Sequence, residues 1–177
     1  MLKILTPVPV AEGTDVKEVY AFYGLAAYAA QVLEKGLANL AVALSTDGVS
    51  ITRTHFDALF DRFDPRAFEQ LVNVASARVA ISAPAQQLLA EALARRNHLS
   101  HQFFADHAAA FTTEQGRARM IEELRDLVDL LQRADAEVER LCLPLMVKHG
   151  MTEDRIRQLT EEMLARFLEL AASPQKN

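Results

Sequence analysis

The chain has 177 residues, half of them apolar and 24% charged, which is typical of one globular domain and not of a disordered chain. Its formal net charge of -5 excludes a global basic field that would hold DNA or an anionic membrane surface nonspecifically. The single Cys142 excludes an internal disulfide framework and a zinc site built from several thiolates. No apolar run reaches the roughly 20 residues of a membrane span. We expect a soluble cytoplasmic protein with no DNA and no membrane partner.

The first predicted element is a long helix that follows an extended lead-in over residues 1–13. Asp15 and Glu18 have the spacing of a capping box at the start of this helix, and Gly48 follows its end. Between them, apolar residues recur every three or four positions, as on one face of a helix. Gly24 and Gly36 lower the intrinsic helix propensity of this segment and would permit a neighbouring helix to approach closely.

The middle third of the sequence predicts two further helical regions. Over residues 54 to about 79 we expect two short helices that meet at a corner, where Asp64 would cap the second helix and Pro65 would begin it. Ser82 caps a long helix that tolerates a proline in its first turn. We expect this helix to continue to about Phe111.

The last third of the sequence predicts two more helices. Thr112 and Gln115 have capping-box spacing and begin a helix whose apolar residues alternate every four and three positions. Pro144 should bend or end this helix near its last turn. After Gly150, Thr152 begins a final amphipathic helix, and residues 173–177 form a frayed tail.

Together these elements predict an all-α fold, a single-domain antiparallel bundle of about five to six helices over residues 14–172. The first long helix and the helix after Thr112 both have sustained heptad-like stripes. Such stripes pack equally well within one chain or across a homodimer seam. Both arrangements therefore stay open.

One segment of the long helix after Ser82 combines a charge with an apolar face. On an ideal helix, Arg96 falls inside the apolar stripe that includes Leu89, where a guanidinium is unfavourable unless it is paired. Asn97 and His101 lie four residues apart at the margin of that stripe. A carboxylate from another helix, such as Glu34, would make Arg96 a structural residue.

The run RNHLSH from Arg96 to His101 resembles the Arg-x4-His motif of HEPN domains, in the form with Asn after Arg. The specific match covers about nine residues, and the predicted helical bundle agrees with the compact all-α fold of that family. The resemblance implies a HEPN-like, metal-independent endoribonuclease whose motifs meet at the cleft of a homodimer. Such an enzyme would act as a toxin or a stress and defence effector that an inhibitory protein partner restrains.

On this hypothesis each polar residue of the motif has a role in RNA cleavage. His101 would transfer a proton to or from the RNA, and Arg96 would bind the scissile phosphate. Asn97 would orient His101 or the phosphate, and Arg95 and His98 would contact neighbouring phosphates. The chemistry needs no cofactor, and we predict no metal site, because the histidines match metal-ligand spacing only weakly.

The alternative is a non-catalytic all-α homodimer that serves as an interaction or regulatory module without enzymatic activity. The two hypotheses differ in the surroundings that they require for Arg96. An RNA cleft should collect Arg95, Arg96 and His98 on one surface with other basic groups. An interaction module should instead pair Arg96 with a buried carboxylate of the same subunit.

Overall fold

The computed structural model describes residues 7–45, 81–148 and 150–172, and these residues form six helices and no strand. The predicted all-α bundle is confirmed. The predicted features at residues 1–6, 46–80 and 173–177 lie outside the described residues. The helices are α1 (Val16–Ser45), α2 (Ala83–His101), α3 (Phe103–Asp106), α4 (Ala108–Phe111), α5 (Glu114–Lys148) and α6 (Glu153–Ala172).

The predicted N-terminal caps of α1 and α2 are both present. The Glu18 backbone N–H donates to Asp15 Oδ1 at 2.8 Å, which satisfies one of the free donors in the first turn of α1. The Glu18 carboxylate accepts a hydrogen bond from the Glu12 backbone N–H at 2.8 Å, so it fastens the lead-in to the helix. Ser82 Oγ accepts from the Ala85 backbone N–H at 3.4 Å at the start of α2.

The two longest helices, α1 and α5, run parallel and make the most extensive contact in the bundle. Near their first turns, the Thr14 hydroxyl donates to Glu114 Oε1 at 3.3 Å. Further along, Gly36 lies against α5, where an added Cβ would stand 3.1 Å from Asp135 Oδ1. Glycine thus permits the close approach that the sequence predicts at Gly36. Gly24 has no such neighbour within 4 Å.

Helix α2 runs antiparallel to α1 and packs against both long helices. The Tyr23 hydroxyl, near the start of α1, donates to the Leu99 carbonyl oxygen near the end of α2 at 3.3 Å. The heptad-like stripes of α1 and α5 are therefore buried within one chain. The largest fully buried side chains are Val19, Leu33, Leu37, Leu40, Leu89, Phe103, Met120, Ile121, Leu124, Val128 and Leu131.

The prediction that one helix continues from Ser82 to Phe111 is wrong. The helix ends at His101, and the chain bends at Gln102 (φ -131°, ψ -24°) and again at His107 (φ -98°, ψ 11°). A straight helix of that length would carry Phe111 past the beginning of α1, where its aromatic partners lie. Packing against α1 and α5 therefore overrides the continuous apolar spacing of this segment.

The predicted cap at Thr112 is wrong by one residue. Thr112 has helical backbone angles and completes α4, and its hydroxyl donates to the Ala109 carbonyl oxygen at 2.8 Å. Thr113 Oγ1 instead accepts from the Gly116 backbone N–H at 3.1 Å and caps α5.

Helix α5 continues for about one turn beyond Pro144 and ends at Lys148. Gly150 then adopts a positive φ of 78°, which glycine tolerates at helix C-termini. As predicted, Thr152 caps the final helix, and its Oγ1 accepts from the Arg155 backbone N–H at 3.3 Å. None of the described helices is both long enough and apolar enough to cross a bilayer.

The close contact at Gly116 leads to a stability prediction. A Cβ at this position would stand 2.6 Å from the carbonyl carbon of Ala110, which belongs to backbone and cannot easily shift. We expect Gly116→Ala to destabilise the fold by about 1–3 kcal/mol in denaturant unfolding. Gly24→Ala is the matched control, since it places a methyl group in open space on a helix and should stabilise by about 0.5–1 kcal/mol. Equal stability of the two variants would contradict this packing.

Candidate functional site

Arg96 forms an ion pair with a carboxylate from a different helix of the same chain. Its Nη2 contacts Glu34 Oε1 of α1, and the two side chains are only 16% and 19% exposed. Glu34 Oε1 is shielded from solvent, and its charge is compensated by this ion pair. The structural role that the sequence offered for Arg96, with Glu34 as its partner, is therefore the arrangement that the chain adopts.

Asn97 contacts Arg96 and not the histidine that follows it by four residues. Its Oδ1 accepts a hydrogen bond from Arg96 Nη1 at 3.1 Å, whereas Glu34 contacts Nη2 of the same guanidinium. The Asn97 side chain is exposed, and Arg95 next to Arg96 is partly exposed.

His101 lies apart from Arg96. It is the last residue of α2 and its side chain is exposed. It lies five positions after Arg96 on the helix, which places the two side chains about 140° apart around the helix axis. Because Arg96 points to α1, the described structure does not bring the two main residues of the motif onto one face.

His98 is held by an acidic side chain. Its Nε2 lies 2.9 Å from Asp106 Oδ2 of α3, and its ring meets the edge of the buried Phe103 ring with centroids 6.2 Å apart. A carboxylate at this distance repels a phosphate that approaches the same imidazole. The contact therefore opposes the phosphate-binding role that the sequence predicted for His98.

A second histidine pair, which sequence analysis missed, joins α5 to the bend before α4. His107 Nδ1 lies 2.8 Å from the Phe103 carbonyl oxygen, and Nε2 lies 2.9 Å from Glu123 Oε2. The two ring nitrogens of His107 thus join a backbone carbonyl of α3 to a carboxylate of α5. No local spacing relates His107 to Glu123, because a change of chain direction separates them.

Aromatic rings fix this bend against α1. The Tyr23 and Phe104 ring centroids are 4.8 Å apart, and Tyr20 contacts both Phe104 and Phe111 at 5.8 Å and 5.7 Å. These tilted pairs stabilise packing beyond the area that they bury. The motif is thus surrounded by packed aromatic rings and by paired charges. The Arg96 guanidinium and the imidazoles of His98 and His107 each contact a carboxylate.

Cys142 is an unreactive core residue. Burial is the main cause that raises the pKa of its thiol to about 11, so the thiol stays protonated at neutral pH. Since the thiolate is the nucleophile, this cysteine is unsuited to covalent catalysis. No group of three or more His, Cys, Asp or Glu side chains is placed to hold a metal ion among residues 7–45, 81–148 and 150–172.

Helix α6 presents a different kind of candidate site, an uncovered apolar face. Met163 is 73% exposed and Phe167 is 65% exposed, and the leucines beside them, Leu164 and Leu168, are also more than half exposed. The helix packs extensively against none of the other described helices. Contiguous exposure of large apolar side chains is unusual for a monomer and is typical of interaction surfaces.

Comparisons with known proteins give no further assignment. No family model matches the chain, and no curated protein and no solved structure matches it.

The Arg96–Glu34 pair leads to a second stability prediction. In a double-mutant cycle with Arg96→Ala and Glu34→Ala, we expect a coupling energy of about 1–3 kcal/mol, between the values typical of exposed and fully buried pairs. The control is a cycle on Arg133 and Asp129, an exposed pair on α5 with an N–O distance of 3.5 Å, which should give about 0.3–0.5 kcal/mol. Equal coupling in the two cycles, measured by denaturant unfolding, would contradict a structural role for Arg96.

Proposed function

We propose that this chain is a non-catalytic all-α interaction module that acts as a homodimer, with α6 as its contact helix. The observation that supports the proposal most strongly is the exposure of large apolar side chains on that helix, including Met163 and Phe167. Most of the stability of a helix in a protein comes from packing of its amphipathic face, and the 20 residues of α6 lack extensive packing against the other described helices. A partner surface would provide that packing.

The magnitudes are favourable for dimer formation through α6. Covering a Leu, Met or Phe side chain is worth about 1.5–3 kcal/mol, and each copy has four such side chains that are more than half exposed. Because these side chains are already partly covered in the single chain, two copies together would gain at most roughly 8–15 kcal/mol. This is comparable to the ~4–15 kcal/mol that association costs in lost translational and rotational freedom.

The contacts of Arg96 favour the interaction module over the HEPN-like ribonuclease. To bind a scissile phosphate, the guanidinium would have to leave Glu34 and expose a shielded carboxylate. Separating an ion pair that is mostly shielded from solvent is unfavourable, because the remaining charge loses its compensation. As a structural pair, by contrast, Arg96 and Glu34 fix α2 against α1 and require no ligand.

The position of His101 favours the same choice. The ribonuclease hypothesis needs His101 and Arg96 to converge on one phosphate, because proton transfer and charge stabilisation act on the same reacting group. His101 lies at the exposed end of α2, whereas Arg96 lies on the side of α2 that faces α1, so the two side chains point in different directions. The ribonuclease would therefore need a dimer that joins the ends of two α2 helices, whereas the exposed apolar face that favours dimer formation lies on α6.

Sedimentation of two charge variants tests the proposed function. We expect the wild type to form a homodimer and Phe167→Glu to raise the dissociation constant at least ~100-fold, because the dimer loses two buried aromatic rings. Ala165→Glu introduces the same charge on the exposed opposite face of α6 and should leave the dimer intact. Circular dichroism checks that both variants remain helical. A monomeric wild type, or equal dimer formation by both variants, would contradict the proposal.

A further inference from the structure

We infer that α6 pairs with α6 of a second copy in antiparallel orientation, across a two-fold axis that passes beside Met163. The inference rests on the proposed function, because it specifies how the homodimer forms. It follows from the order of apolar and charged side chains along the helix.

The apolar positions of α6 are symmetric about Met163. Counted from Ile156, they follow at steps of three, four, four and three residues, through Leu159, Met163 and Phe167 to the apolar sequence position 170. At about 100° per residue they all lie within roughly 40° of Met163 around the axis. An antiparallel copy centred on Met163 therefore places Leu159 opposite the partner's Phe167 and Met163 opposite itself.

The flanks of this stripe distinguish the two possible orientations. Glu162 and Arg166 lie on one flank, and Leu164 and Leu168 lie on the other. A two-fold axis that makes the helices antiparallel brings the same flank of each helix together. An axis that makes them parallel brings opposite flanks together, which places charges against leucines.

Only the antiparallel orientation satisfies both flanks. Glu162 then faces the partner's Arg166, and Arg166 faces the partner's Glu162, with an axial offset of about 3 Å that long side chains can span. The axis brings the two Glu162 side chains to the same offset from each other, and the two Arg166 side chains on this flank counter their repulsion. On the other flank, Leu164 approaches the partner's Leu164 and widens the apolar contact. A surface that is complementary to itself in this way is the requirement of a closed two-fold dimer.

The charged and apolar parts of the surface have different effects. Exposed ion pairs add little affinity, and they act mainly on orientation and specificity. The apolar stripe supplies the buried area, and the Glu162 and Arg166 pairs select antiparallel over parallel pairing. Both side chains are exposed in the single chain and are therefore accessible to a partner.

Disulfide trapping in the full-length chain tests the orientation. With Cys142→Ala as background, we expect Met163→Cys to form a covalent dimer under mild oxidation. Leu159→Cys or Phe167→Cys alone should form little, because an antiparallel pair separates identical positions by about 12 Å, beyond the ~7 Å reach of a disulfide. A mixture of these two variants, combined before oxidation, should form the covalent dimer.

The outcomes separate failure of the orientation from failure of the proposed function. Efficient self-trapping of both Leu159→Cys and Phe167→Cys would show parallel pairing and overturn the inference while leaving the homodimer. A wild-type dimer that none of the cysteines traps would place the contact elsewhere and also overturn it. A monomeric wild type would overturn both proposals.

Charge reversal provides a test that introduces no cysteine. Glu162→Arg alone and Arg166→Glu alone should each weaken dimer formation by roughly 3- to 30-fold, because each dimer contains two affected pairs. The double reversal, Glu162→Arg with Arg166→Glu, should restore wild-type affinity in the antiparallel arrangement. Failure of the double variant to recover affinity would overturn the inference.

Discussion

The close parallel contact between α1 and α5 determines where the other described elements lie. Its register is set near the first turns, where Thr14 contacts Glu114, and at Gly36, where the absence of a side chain lets Asp135 approach. Arg117 reinforces the first of these points by donating to the Thr14 and Phe111 carbonyl oxygens at 2.7 Å and 3.1 Å. The lead-in, the bend before α5 and the two longest helices are thereby joined at one end of the bundle.

This constraint explains the contrast between the two candidate sites. Because α1 and α5 bury their stripes against each other, α2 must pack beside them, and its one interior cation, Arg96, finds Glu34 within the same chain. The motif therefore contributes to the core of the monomer. Among the described long helices, α6 is the one whose large apolar side chains stay mostly exposed. The exposed apolar surface that we propose as the dimer contact thus lies on α6 and not at the motif.

Sequence predicted what depends on local interactions and missed what depends on distant ones. The caps at Asp15, Ser82 and Thr152 and the helices after them follow from neighbouring residues. The bend at His107 depends on Glu123 across a change of direction, so apolar spacing alone predicted an unbroken helix. The position of Arg96 on an apolar face predicted that its charge needs a carboxylate partner. The packing of α2 against α1 determines that this partner is Glu34. Amphipathic spacing in α6 predicted an apolar face but not whether the same chain covers it.

An RNA cleavage assay in the presence of EDTA tests the central claim most directly, because it separates a non-catalytic module from a metal-independent ribonuclease. Wild type and His101→Ala would be compared at matched concentrations and at concentrations where the wild type is dimeric. A non-catalytic module predicts no cleavage above background by either protein. Cleavage by the wild type that leaves 2′,3′-cyclic phosphate ends and is lost in His101→Ala would contradict the claim and assign the chemistry to the motif.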